Sequence, residues 1–242
     1  MPKRTSGEVN LMVIASGNGT GMFSIMKTHH AGQIPEVGQI VLVSTKPGAG
    51  CIEKANDLDY PSVVIEVGST PFQYTYEKRE FLNELSRVAQ ARQCRLVFLV
   101  GCNVIVPFDS SIAYPICGLP MYNIHPADID AHGGQGMHGL RVHEHVLEAE
   151  LDHIRRGKKS LGCDRFFTYP TVHEVTERPD DGPPLLMGAV EIPSTLLQGV
   201  LDGTYDLRAA ALKLREIVLP YEWLMLPTAV RMAVQQLDSH SG

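Results

Sequence analysis

Residues 118–126 read Gly118-Leu119-Pro120-Met121-Tyr122-Asn123-Ile124-His125-Pro126. The stretch predicts a short buried strand that ends by presenting two polar side chains. Alternate residues of a strand share a face, so Asn123 and His125 fall on one side and Ile124 on the other, toward the core. Pro126 has no N–H to give to a ladder and stops the strand. In a parallel α/β sheet, ligands bind beyond the carboxyl ends of the strands. An amide donor beside an imidazole suits chemistry at a carbonyl, because the amide can hold a developing oxyanion while the imidazole moves a proton. Taken alone, an Asn-x-His pair more often means a turn-capping Asn beside a surface His.

The segments before this strand alternate in a way that sets the fold class. Val9 to Ser16 is an almost continuous apolar run, as expected for a strand buried on both faces. Gly17-Asn18-Gly19-Thr20-Gly21 follows, and then Met22, Phe23, Ile25 and Met26 at helical spacing. Strand, Gly-rich turn and helix point free backbone N–H groups at an anion. The turn is neither a P-loop nor a G-x-G-x-x-G, so two readings stand: phosphate binding at Gly19, Thr20 and Gly21, or glycines needed only for geometry. Residues 39–44 and 62–67 read as strands, with a helix of about ten residues starting near Gly50 between them. Residues 71–93 carry an amphipathic apolar stripe that includes Phe81, Leu82, Leu85, Val88 and Ala89. Residues 95–100 form a further buried strand, which ends at the apolar loop 101–107. Strand and helix alternating at this rhythm predict a doubly wound, mostly parallel α/β sheet in which 118–126 is the fifth strand.

Beyond it, 131–138 predicts a flexible loop and Gly139 to Arg156 a long helix. Residues 162–176 predict a long strand or hairpin and 184–192 another strand. Asp180 and Asp181 lie in a Pro/Gly turn, which is either only a turn or a way to bring a carboxylate against His125. Leu207 to Leu237 predicts helix broken near Pro220 and Pro227, followed by a frayed tail. We therefore expect a flexible tail over 1–8 and a single domain over 9–237. Its halves are a nucleotide- or phosphate-binding part (9–117) and a catalytic part (118–237).

Composition excludes several classes. The chain has 242 residues, 44% hydrophobic and 20% charged, with a formal net charge of −6. No basic patch favours nucleic acid. No run approaches the ~18 apolar residues of a membrane helix, and the start has no signal-peptide pattern. Five cysteines without a C-x-x-C predict a reducing compartment and no zinc–cysteine site. His132, His138, His143, His145 and His153 form no H-E-x-x-H, so no metal is expected. A cytoplasmic protein is the expectation.

Three signals stand in order: Ser16-Gly17-Asn18-Gly19-Thr20, then Asn123-Ile124-His125-Pro126, then Val172-His173-Glu174-Val175-Thr176 leading to Asp180-Asp181-Gly182-Pro183. Together they resemble the folate-dependent formyltransferases, from about Val9 to Leu226. The run Gly139-Leu140 to His143, then Val146-Leu147-Glu148, fits the same pattern. The resemblance implies a Rossmann-like sheet of the formyltransferase type, with 10-formyltetrahydrofolate as donor and an amine, glycinamide ribonucleotide first, as acceptor. It implies Asn123, His125 and Asp180 as the catalytic trio, with Asp180 raising the pKa of His125. Gly19, Thr20 and Gly21 would hold the acceptor phosphate. Asn103, Val104, Ile105, Val106, Asn123, Thr176 and Pro179 would line the pterin site. No metal is needed.

This chain departs from the family pattern at Gly21, where members usually have Asn, at Tyr74 in place of Arg, and at Arg215 in place of Glu. It also carries an Arg- and Lys-rich insertion around 155–170. Another amine, or water, as acceptor therefore stays open, as does a folate- or nucleotide-binding protein without turnover. The oligomeric state, monomer or homodimer, is open too.

Overall fold

The computed structural model describes residues 8–66, 75–102, 106, 116 and 118–239, without the side chains of 75–78. The expected tail over 1–7, Tyr74, the loop residues Asn103, Val104 and Ile105, Cys117 and the last residues 240–242 lie outside the described residues. Hydrogen-bonded strands follow the order β3-β2-β1-β4-β5-β7-β8, and a separate pair joins β6 to β9. The architecture is mixed α/β with a mostly parallel sheet, as the alternation of segments requires. The chain forms two compact units, one built from 1–123, 174–177 and 226–242, the other from 124–173 and 178–225.

In the first unit, β1 (Val9–Ala15) is buried at every residue because β2 (Val37–Ser44) and β4 (Cys94–Leu99) flank it in parallel. Outside them run β3 (Ser62–Val64) and β5 (Met121–His125), whose first residues belong to this unit. α3 (Thr75–Ala91) lays Phe81, Leu85 and Ala89, four residues apart, against Met12, Ile14 and Val97. Register puts Ile14 beside Leu99 and Leu99 beside Asn123, so Asn123 sits in the last row that β1, β4 and β5 share, one residue before β1 ends.

That turn is packed as tightly as glycine permits. Gly19 has φ 71 and precedes α1 (Thr20–His30); a Cβ there would stand 2.4 Å from the Cys51 Cβ. At Gly21 a Cβ would meet Val100 Cγ1 at 2.7 Å and Leu226 Cδ1 at 3.0 Å. α2 (Gly50–Asn56) is shorter than the spacing suggests, and its Lys54 donates to Asn18 Oδ1 at 2.7 Å.

The second unit holds α5 (Leu140–Arg155), whose Val142, Val146, Leu147 and Leu151 face Ala210, Ala211, Leu214 and Val218 of α7 (Leu207–Ser239). Phe166, Val190 and Ile192 of the antiparallel pair β6 (Phe166–Thr168) and β9 (Val190–Ile192) close this core. With β7 (Thr171–Glu174) and β8 (Pro184–Met187), the segment expected as a long strand or hairpin and the strand expected over 184–192 each hold two short strands. Gly188 divides the second pair, where a Cβ would stand 2.7 Å from Met225 Sδ.

Other expectations need correction. α4 (Ile129–His132) opens the segment expected as loop, because Asp128 caps it by accepting from the Asp130 N–H. α6 (Ser194–Leu201) was not expected. α7 runs unbroken through Pro220 and Pro227, its packing outweighing the lost N–H groups. By length and composition α7 could cross a membrane, yet Leu214 and Val218 are core residues of the second unit, and Val230 and Val234 are buried in the first. On β5 it is His125 that is buried, while Ile124 is half-buried.

His143 of α5 is 3% exposed, and its Nδ1 has no hydrogen-bond partner among the described residues. Burial, then the Arg215 guanidinium, then His125 push its pKa from 6.5 down to about 4. The unfolded chain therefore binds a proton below pH 6.5 that the folded chain refuses until about pH 4. The expected outcome is a stability that is full above that window and falls by on the order of 3 kcal/mol across it. Urea unfolding of wild type and His143→Gln at stepped pH checks this: the variant loses that slope, and an identical slope would contradict it.

Candidate active site

His125 closes β5, and Pro126 ends the ladder as the sequence requires. Both ring nitrogens of His125 meet protein groups of the second unit. Nε2 lies 3.0 Å from the His132 carbonyl, which can only accept, so Nε2 carries a proton. Nδ1 lies 3.5 Å from Asp180 Oδ2. Asp180 is reached in turn by His173 Nε2 at 3.4 Å from its Oδ1, and by the Gly134 N–H, which donates to Oδ2 at 3.2 Å. His173 comes from β7 and is buried, two residues beyond Thr171 in the alternation of that strand.

Asp180 adopts φ 54, a left-handed conformation that Asp tolerates better than most side chains. Gly133 admits it: a Cβ at 133 would stand 2.4 Å from the Ile129 carbonyl and 2.9 Å from Asp180 Cβ. The one-turn helix α4 thus ends in two glycines that let the chain approach the carboxylate. Its final His132 also meets His145 of α5, Nδ1 to Nδ1 at 3.0 Å with the rings edge to face.

The electrostatics oppose each other across the pair. Burial pushes the Asp180 carboxyl up, but the His173 hydrogen bond, the His125 charge and the Gly134 N–H together hold it below its ordinary value. Burial pulls His125 below 6.5, and the Asp180 carboxylate and the His132 carbonyl pull it back only in part. The expectation that Asp180 raises the His125 pKa holds for that one contribution and fails for the net direction, because loss of water around the ring outweighs it.

Of the residues singled out from sequence, His125 and Asp180 are brought together, and Pro179 precedes Asp180 as an exposed residue. Asn123 and Thr176 are half-buried in the first unit, where Val106 is buried. Gly19, Thr20 and Gly21 open α1, whose first amides no side chain caps. The 155–170 insertion keeps three cations at home: Arg156 on Asp152, Lys159 on Glu150 and Arg165 on Glu191. Arg215 lies within electrostatic reach of His143 and of Glu222, whose carboxyl burial pushes up to about 7. Sequence reasoning missed His173, His132 and the Gly133-Gly134 pair; the doubled glycine was the only local signal. Among the described residues, no three His, Cys, Asp or Glu side chains converge as metal ligands.

Known proteins resemble this chain in sequence and in fold. The chloroplastic phosphoribosylglycinamide formyltransferase of Arabidopsis thaliana is 29% identical over 208 residues, 81% of this chain and 62% of the relative. Its counterpart from Vigna unguiculata is 26% identical, over 71% of this chain and 48% of the relative. The chain thus spans less than two thirds of the length of these relatives. Among solved structures, glycinamide ribonucleotide transformylase 1 from Symbiobacterium toebii matches with a TM-score of 0.67 at 24% identity, covering 96% of this chain and 90% of that one. The enzyme of the same name from Geobacillus kaustophilus matches with a TM-score of 0.64 at 25% identity, covering 94% and 99%. The family model described as formyl transferase matches residues 9–202 of the 242, and the chain belongs to that family.

Proposed function

We propose that this chain transfers a formyl group from 10-formyltetrahydrofolate to the amine of glycinamide ribonucleotide, a step of purine biosynthesis. The names of the similar proteins support formyl transfer to that acceptor. The observation that carries the chemistry is the buried His125 ring, which is held by the His132 carbonyl and stands beside Asp180.

The acceptor nitrogen attacks the formyl carbon, forming a carbon–nitrogen bond and placing an electron pair on the formyl oxygen. Asn123, in the last sheet row of the first unit, offers an amide N–H suited to that oxyanion. The bond from the formyl carbon to the folate nitrogen then breaks, and that nitrogen takes up the proton the amine gave up. The Nδ1 contact to Asp180 attracts only when a proton lies in it, because a lone pair facing a carboxylate repels. The pair can therefore take one proton from the amine and return it to the leaving nitrogen. The free amides at the start of α1 suit the acceptor phosphate.

Another amine, or water, as acceptor is favoured by one observation. Gly21 offers no side chain to a phosphate, and its packing leaves no room for one. A turnover screen of 10-formyltetrahydrofolate against glycinamide ribonucleotide, other small amines and water separates the readings. Formylated glycinamide ribonucleotide is the expected product. Product from water or another amine alone transfers the proposal to that acceptor, and binding of folate without any product would end the catalytic reading.

His125→Ala and Asp180→Asn should each lower turnover at least ~10²-fold with folding intact. Asn was chosen at 180 because it also tolerates the left-handed backbone. For wild type, kcat/KM should be level at neutral pH and decline only below pH 6.5, since burial lowers the His125 pKa. Asp180→Asn removes the pull that raises it, so the residual activity should have its acid limb at still lower pH. An acid limb that moves up would contradict this. Gly133→Ala should cost turnover as well, because a Cβ there meets the Ile129 carbonyl and Asp180. Unchanged turnover would show that the fit of Asp180 against residue 133 is immaterial.

A further inference from the structure

We infer that His145 is a positioning residue for the reaction, acting through its ring contact to His132 to hold the carbonyl that fixes the tautomer of His125. The inference rests on the proposed role of His125 and lies wholly within the second unit.

α4 has four residues, too few to stand as a helix by itself. Three attachments hold it: the Asp128 cap, the buried Ile129 and the His132 ring on His145. The first two secure its beginning. The His132 N–H donates to the Asp128 carbonyl at 2.8 Å, and the His145 contact is the side-chain hold on this last residue, whose carbonyl accepts from His125 Nε2 at 3.0 Å. His145 itself is firmly placed, because the next two residues, Val146 and Leu147, are core residues of α5. The path therefore runs from a rigid helix, across one ring–ring hydrogen bond, through one residue of backbone, to the imidazole that faces Asp180.

The bond between the two Nδ1 atoms at 3.0 Å contains one proton, donated by one ring and accepted by the other. Burial, then His145, keep the His132 pKa below 6.5 against the opposing charges of Asp128 and Glu150, and His125 adds to the lowering. With the carbonyl held, the proton of neutral His125 stays on Nε2 and the lone pair on Nδ1, on the side of the carboxylate. Released, the ring is free to exchange tautomers and to turn, and a misplacement of about 1 Å in a proton-transfer group can cost ~10²-fold.

The test uses the whole chain with three substitutions at 145 and two readouts. His145→Ala and His145→Phe remove the ring hydrogen bond, the second keeping ring bulk in case the first disturbs folding. His145→Asn keeps a polar atom near the position of Nδ1. The first readout is kcat against KM with the acceptor found in the screen. Ala and Phe should lower kcat roughly tenfold or more with both KM values within about twofold, and Asn should recover most of the loss. The second is the 15N spectrum of His125, read without any substrate. Wild type and Asn should show a protonated Nε2, and Ala and Phe a mixture of tautomers. An unchanged His125 spectrum in both Ala and Phe overturns the inference, whether or not kcat falls. If wild type forms no product with any acceptor, the functional reading fails separately and the spectrum alone decides the positioning role.

Discussion

A carboxylate taken out of water must be met by donors or it will not stay ionised, and Asp180 is met by two, His173 and the Gly134 N–H, while His125 attracts it once Nδ1 is protonated. His173, His125 and the Gly134 N–H face its two oxygens, and together they outweigh the burial that would otherwise neutralise it. Much of the second unit follows from this demand. Gly133 has no room for a Cβ because Asp180 packs against it. Asp180 itself accepts a left-handed backbone, a conformation that costs on the order of 1–3 kcal/mol for a non-glycine residue and persists where surrounding contacts impose it. The short helix α4 exists where it does because one end is capped by Asp128 and the other supplies a carbonyl to His125.

The same contacts set the chemistry. A carbonyl on Nε2 leaves only Nδ1 able to gain or lose a proton, and Nδ1 faces a carboxylate. Burial keeps the ring neutral near pH 7, and the His173 and Gly134 hydrogen bonds keep the carboxylate ionised against burial, so the pair is ready to accept a proton rather than already holding one. That state suits an amine nucleophile, which must shed a proton as it attacks. In the first unit, the sheet row that carries Asn123 and the glycine turn before α1 are set by parallel register and by tight packing on Cys51, Val100 and Leu226.

The buried strands were legible because parallel strands flanked on both sides read as unbroken apolar runs, as Val9–Ala15 and Cys94–Leu99 do. α3 and α5 were legible from the spacing of Phe81, Leu85 and Ala89 and of Val142, Val146 and Leu147. α4 was not, because four residues carry no period and its cap and its ring contact are tertiary. α7 was misread at Pro220 and Pro227 because local propensity favours a break and packing overrules it. At the site, Asn123 and His125 could be paired from alternation alone. Asp180 stands far along the chain, and only a family motif linked it to His125. No spacing rule could show that His173 shares the carboxylate, or that two further histidines on α4 and α5 touch.

The account stands on Asp180 remaining ionised while buried. The direct measurement is a 13C titration of the Asp180 side-chain carboxyl in the folded protein, assigned by comparison with Asp180→Asn. A titration midpoint below pH 3.8, the ordinary value, is the expected result. A midpoint above pH 3.8 would mean that burial prevails over His173, His125 and Gly134, and would contradict the account.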